Sequence, residues 1–144
     1  NGMTVGEYAK ATMLDEIERA VILCNKADEY DVQALTDDEE KQCASKAEDY
    51  MASIGEDIAA QFSVEQSAVL AIYEKDALSM KVYNQILENL SETLRQEDDY
   101  KDMEDSEFEQ ILNDKFEEQY AKWKDTCKVE TTETWEQLVI GAVG

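Results

Sequence analysis

Residues 63–95 constrain the fold more than any other stretch, because they run without a single Gly or Pro. Within them Val69, Ile72, Tyr73, Met80, Tyr83, Leu87, Leu90 and Leu94 recur at spacings of three and four, with a gap at Asp76. That period lines one face of a helix. Ser63 and Gln66 stand three apart, the spacing of a capping box, so the helix is expected over 64–95. At 1.5 Å per residue, some thirty residues span about 45 Å, longer than most globular helices. Other helices are expected to pack on it.

The same signals recur along the chain. Thr4 with Glu7 opens a first helix expected to run to about Tyr30, burying Met13, Leu14, Ile17, Val21 and Cys24. Thr36 with Glu39 opens a second, with Cys43, Ala47, Tyr50, Met51, Ile54, Ile58 and Phe62 as its buried stripe. Gly55 inside it costs up to about 1 kcal/mol relative to Ala. Ser106 with Glu109 opens a fourth helix, whose apolar face is Phe108, Ile111, Leu112, Phe116, Tyr120, Trp123 and Cys127. Beyond a β-branched break at 129–132, Trp135, Leu138, Val139 and Ile140 suit a short last helix or a docked extended segment, with Gly141 and Gly144 in a frayed end. The expected architecture is all-α: one acidic helical domain over 1–144, a bundle of four to five helices around the long central one.

Thirty-five acids stand against thirteen bases, a formal charge of −22. Solubility of a small domain needs a magnitude of only roughly 2–8. Such a chain repels nucleic acid and anionic membranes and attracts basic surfaces. A salty cell would also favour this composition, but eleven of the thirteen bases are Lys, which a halophile is expected to avoid. The apolar runs are too short to span a bilayer and there is no signal peptide, so with Met3 as the start (Asn1 and Gly2 an expression remnant) the expected location is cytoplasmic. The odd count of three cysteines fits that compartment, and Cys24, Cys43 and Cys127 are expected as buried thiols.

Histidine is absent, which removes Ser-His-Asp and Cys-His catalysis, His-ligated zinc or haem, and the Glu-x-x-His pair of di-iron bundles. No CxxC, GxxxxGK[ST] or GxGxxG occurs. EF-hand spacing fails from Asp98, where position 3 is Tyr100, and from Asp102, where position 6 is Glu107. No catalytic residue, metal or cofactor is therefore assigned. One enzyme alternative is an all-helical nucleotide pyrophosphohydrolase, with magnesium held by Glu104 and Glu107 or by Glu130, Glu133 and Glu136.

The densest negative stretch is 97–109, in which eight of thirteen residues are acidic and only Lys101 is basic. It is expected to be a loop with at most a helical turn. Asp98, Asp99, Asp102, Glu104, Asp105 and Glu107 form the expected partner-binding surface, and Asp37, Asp38, Glu39 and Glu40 a second one. Tyr30 and Tyr100 stand among acids, where an aromatic can anchor an interface, and Tyr100 is counted in the first surface. Tyr8, Tyr50, Tyr73, Tyr83 and Tyr120 fall on or beside the apolar faces, and most of them are expected in the core.

In composition and size the chain resembles the small acidic proteins of phages and mobile elements that block CRISPR nucleases or restriction enzymes. That resemblance implies a non-catalytic nucleic-acid mimic bound in the basic groove of a nuclease; the chain itself is expected as a monomer or homodimer, a dimer being commoner for the adaptor alternative. The alternative is an acidic helical adaptor or chaperone for another basic protein, with an exposed apolar groove to which the tail 135–143 could contribute.

Overall fold

A computed structural model describes residues 2–138. Its elements are α1 (Val5–Asn25), α2 (Asp37–Gln61), α3 (Gln66–Leu94), α4 (Asp105–Thr126) and α5 (Glu133–Gln137), with no strand among the described residues. The fold is an all-α bundle, and its long central helix is α3. Val139, Ile140, Gly141 and Gly144 lie outside the described residues.

Each of the other three long helices packs on α3. α2 reaches it by a tight hairpin and runs back along its first half, so that Glu39 near the start of α2 meets Lys81 in mid-α3 at 2.9 Å. α4 runs back along the second half: Phe116 meets Tyr83 edge-on at 4.7 Å, and Phe108 joins Leu94 in one cluster. α1 lies antiparallel to the middle of α3. The Cys24 thiol donates to the Lys75 carbonyl at 3.2 Å, and Arg19 sits over the Tyr83 ring. Both core clusters therefore fall on the second half of α3. One joins Ile22 and Leu23 of α1, Val82 and Ile86 of α3, and Phe116 and Tyr120 of α4; the other joins Leu94, Phe108 and Leu112.

Local chemistry explains the helix ends. Thr4–Glu7 and Thr36–Glu39 are complete capping boxes, each pair exchanging side-chain and backbone hydrogen bonds. The two other expected boxes are absent. Ser63 has φ 51°, so it cannot start a helix. It closes α2 instead: Ser63 N–H donates to Ala60 O at 3.3 Å and Val64 N–H to Ala59 O at 2.8 Å, a Schellman motif with serine in the left-handed position. α3 thus begins at Gln66 rather than 64, after Glu65, with no side-chain cap. Ser106 falls inside α4, which starts after Glu104. α1 ends at Asn25 rather than Tyr30, although tight turns continue to Asp31 (φ 55°), where Val32 N–H donates to Ala27 O at 2.8 Å. Inside α2, Gly55 takes φ 79° and ψ 163°, which breaks the helix into two segments. No L-residue adopts that backbone readily, so glycine there is a conformational requirement.

Burial matches the expected stripes best in α4 and worst in α1. In α4, Phe108, Leu112, Phe116 and Tyr120 are buried as expected. In α3, Val82 and Ile86 are buried although the expected face omitted them, and Ile72 and Met80 are exposed. In α2 only Cys43 and Ala47 are buried, and Tyr50, Ile58 and Phe62 face solvent. α1 departs furthest. It buries Ile22 and Leu23, while Met13, Ile17 and Val21 of the expected face are exposed. Tyr8 is also exposed, whereas Tyr30 packs edge-on to Trp123 at 6.2 Å. Cys127, expected in the core, is exposed beyond the last turn of α4.

A candidate anionic interface

The acidic stretch 97–109 is the turn between α3 and α4 together with the first turn of α4. Tyr100 and Lys101 N–H groups both donate to Glu97 O at 3.1 Å, so the segment is a compact helical turn rather than an open loop. Acidic residues one helical turn apart have Cβ atoms about 5–6 Å from each other, and at such separations like charges repel by less than about 1 kcal/mol per pair in water. Several such pairs would spread the turn unless something held it.

Arg95, the residue capping α3, holds it. Its Nη1 donates to the carbonyls of Tyr100 at 3.0 Å and Met103 at 2.8 Å, and its Nη2 to Asp105 at 2.9 Å. The guanidinium lies 3.7 Å from the centre of the Phe108 ring. One side chain thus ties the helix end, the turn and the start of α4 to the second core cluster. Only arginine has enough planar donors and an aromatic-stacking face to do all of this. Arg95 was not among the expected site residues. A cation one residue after the last apolar position of a long helix, facing an acidic turn, was the available signal.

The clasp divides the expected surface. Asp105 is spent on Arg95, and Asp98 pairs with Lys101 at 2.9 Å, though both remain largely in solvent. Asp99, Asp102, Glu104 and Glu107 are exposed and have no ion pair among the described residues. Tyr100 is half-buried against the Leu94, Phe108 and Leu112 cluster, so its ring is tied to the core. Beside the free carboxylates lies a shallow groove of about 450 Å³ lined by Met103, Ser106, Glu107, Gln110 and Ile111.

The second expected surface, at the start of α2, is a different kind of place. Glu39 is structural: its carboxylate accepts from the Thr36 N–H at 2.7 Å and from Lys81 at 2.9 Å. The Thr36 backbone bond first, and the Lys81 bond second, hold its pKa below the ordinary glutamate value. Asp38 lies 3.7 Å from Lys41, while Asp37 and Glu40 are exposed without an ion pair among the described residues. Lys81 and Leu94 stand thirteen positions apart on α3, so the two surfaces are about 20 Å apart along the helix axis.

Among the described residues no three His, Cys, Asp or Glu side chains converge to hold a metal ion. Glu104 and Glu107 lie at one end of α4, and Glu133 and Glu136 lie past its other end, so they do not share a site. No described helix is long and apolar enough to cross a membrane. Comparison with protein-family models, with curated proteins and with solved structures gives no match.

Proposed function

We propose that this protein is a non-catalytic nucleic-acid mimic, whose carboxylates occupy the basic groove of a DNA- or RNA-handling enzyme, in the first place a bacterial defence nuclease. The observation that carries the reading is the Arg95-clasped turn, which presents Asp99, Asp102, Glu104 and Glu107 without an ion pair among the described residues. Carboxylates with no internal partner keep their full attraction for an external cation. Holding them in place beforehand lowers the ordering cost of binding. A groove that binds duplex DNA answers regularly spaced phosphates with Lys and Arg, and the same cations would answer this turn. The remaining negative charge steers the encounter.

The groove beside Glu107 favours a second reading, an acidic adaptor that shields another basic protein. Met103 and Ile111 offer an apolar notch that a protein side chain could fill and that phosphate mimicry does not need.

Displacement of labelled DNA from a panel of guide-loaded CRISPR effectors and a restriction enzyme tests the proposal. The expected result is competition that weakens as salt is added, and that is lost when Asp99, Asp102, Glu104 and Glu107 are all replaced by Lys with helicity unchanged. Competition that survives those replacements would move the interface elsewhere. Binding of a basic partner without competition against DNA would favour the adaptor.

A further inference from the structure

The observed buried face of α1 is only partly the expected one: Leu14 and Cys24 are half-buried, while Met13, Ile17 and Val21 are exposed. Leu14, Ile17, Val21 and Cys24 occupy alternating first and fourth positions of two heptads, the pattern of a helix–helix seam. Ile17 nevertheless lies about 140° around the helix from the core residue Ile22, at 100° per residue. It is 51% exposed, and Met13 and Val21 beside it are 42% and 38% exposed. We infer that this face is the contact surface of a homodimer, in which the Met13–Ile17–Val21 stripe of α1 packs antiparallel on the same stripe of a second copy.

Two observations lead to a second copy rather than a basic partner. The stripe carries no carboxylate, in a chain with 35 acids. Asp15, Glu16 and Glu18 all fall off it, and Asp15 and Glu18 are held by Lys124 of α4 at 3.0 and 3.7 Å. A cationic helix would find no charge to answer there. The stripe is also symmetric about Ile17, since Met13 and Val21 stand four residues to either side. An antiparallel pair therefore sets Ile17 on Ile17 and Met13 on Val21, as a twofold interface requires. The open part of the stripe begins at Met13, because α5 covers Lys10: its Nζ bonds to Glu136 O at 3.1 Å and lies over Trp135.

The salt dependence is distinctive. Each copy carries −22, and salt screens the repulsion between copies while leaving apolar contact intact. Dimerisation should therefore strengthen with salt, opposite to the expected binding of a basic groove, and the inference stands without the proposed function. Sedimentation velocity of the full chain, from micromolar to several hundred micromolar at low and high salt, tests it. The expected result is a monomer–dimer equilibrium shifted to dimer by salt. Ile17→Asp should weaken it at least tenfold with helicity unchanged, and Phe62→Asp, at the exposed end of α2, should not. A chain that stays monomeric throughout, or an Ile17→Asp variant that dimerises like the parent, overturns the inference. Ile17→Cys in a Cys127→Ser background tests the register, since residues on the twofold axis should form a disulfide between copies under mild oxidation. A dimer that persists without that cross-link overturns the antiparallel pairing.

Discussion

The two halves of α3 share an apolar periodicity but have different surroundings. The second half lies between α1 and α4 and carries both core clusters. The first half is covered by α2, and the pair leaves Tyr50, Ile58, Phe62 and Ile72 in solvent. Ile72 shows why. α1 ends where Cys24 meets Lys75, so one turn toward the start of α3 no described helix covers an isoleucine that stands on the core side of the helix and is 69% exposed. Two helices can bury one seam between them, and a third is needed to bury the other sides. Amphipathic periodicity marks a face for burial without supplying the element that buries it.

The largest predicted effect contrasts the halves directly. Phe116 is fully buried in the first cluster, and Phe116→Ala is expected to cost about 3–5 kcal/mol in urea unfolding. Ile72→Ser is expected to stay within about 0.5 kcal/mol. Equal costs would mean that the first half is packed as firmly as the second. Hydrogen exchange gives the same contrast amide by amide, with faster exchange expected over 50–72 than over 82–94.

Arg95→Ala comes next. It removes three charge-assisted hydrogen bonds and the Phe108 stack, with an expected cost of about 3 kcal/mol. Arg95→Lys should recover only part of it, because an ammonium cannot keep the fork. The two variants should also bind a basic partner less tightly than their remaining helicity suggests. If Arg95→Ala is stability-neutral, the acidic turn is held by something else.

Gly55→Ala should cost of order 1–3 kcal/mol, from backbone conformation alone. A Cβ there would meet nothing within 4 Å, so steric crowding adds nothing. A stabilised variant with higher helicity would show that α2 can run straight, and that the kink is no requirement of the arm.

The smallest effect concerns acid. The Glu39 pKa is lowered, so its contribution is complete above the ordinary glutamate value and is lost as pH falls through the depressed one. Glu39→Gln should therefore reduce the loss of stability on acidification below about pH 4.5. Parallel pH profiles for Glu39→Gln and the parent would remove Glu39 from the contacts that tie α2 to α3.

What was legible in the sequence followed its range. The capping boxes at Thr4 and Thr36 act over three residues, and both form. The Ser63 box failed because the same serine was needed to end α2, a competition between neighbouring helices that spacing alone does not resolve. The acidic turn was visible as composition, but not its division into paired and free carboxylates, since Arg95 reaches across as many as ten residues to sort them. Glu39 looked like a surface acid until α3 brought Lys81 beside it.

By itself, then, the sequence determined the helices, most of their ends and the surplus of negative charge. These depend on backbone hydrogen bonding and side-chain type within a turn or two of chain. Tertiary structure decided which face of each helix is buried and which carboxylates remain free. Burial and ion pairing are set by whatever element arrives from elsewhere in the chain, and at the Met13–Ile17–Val21 face of α1 none of the described elements does.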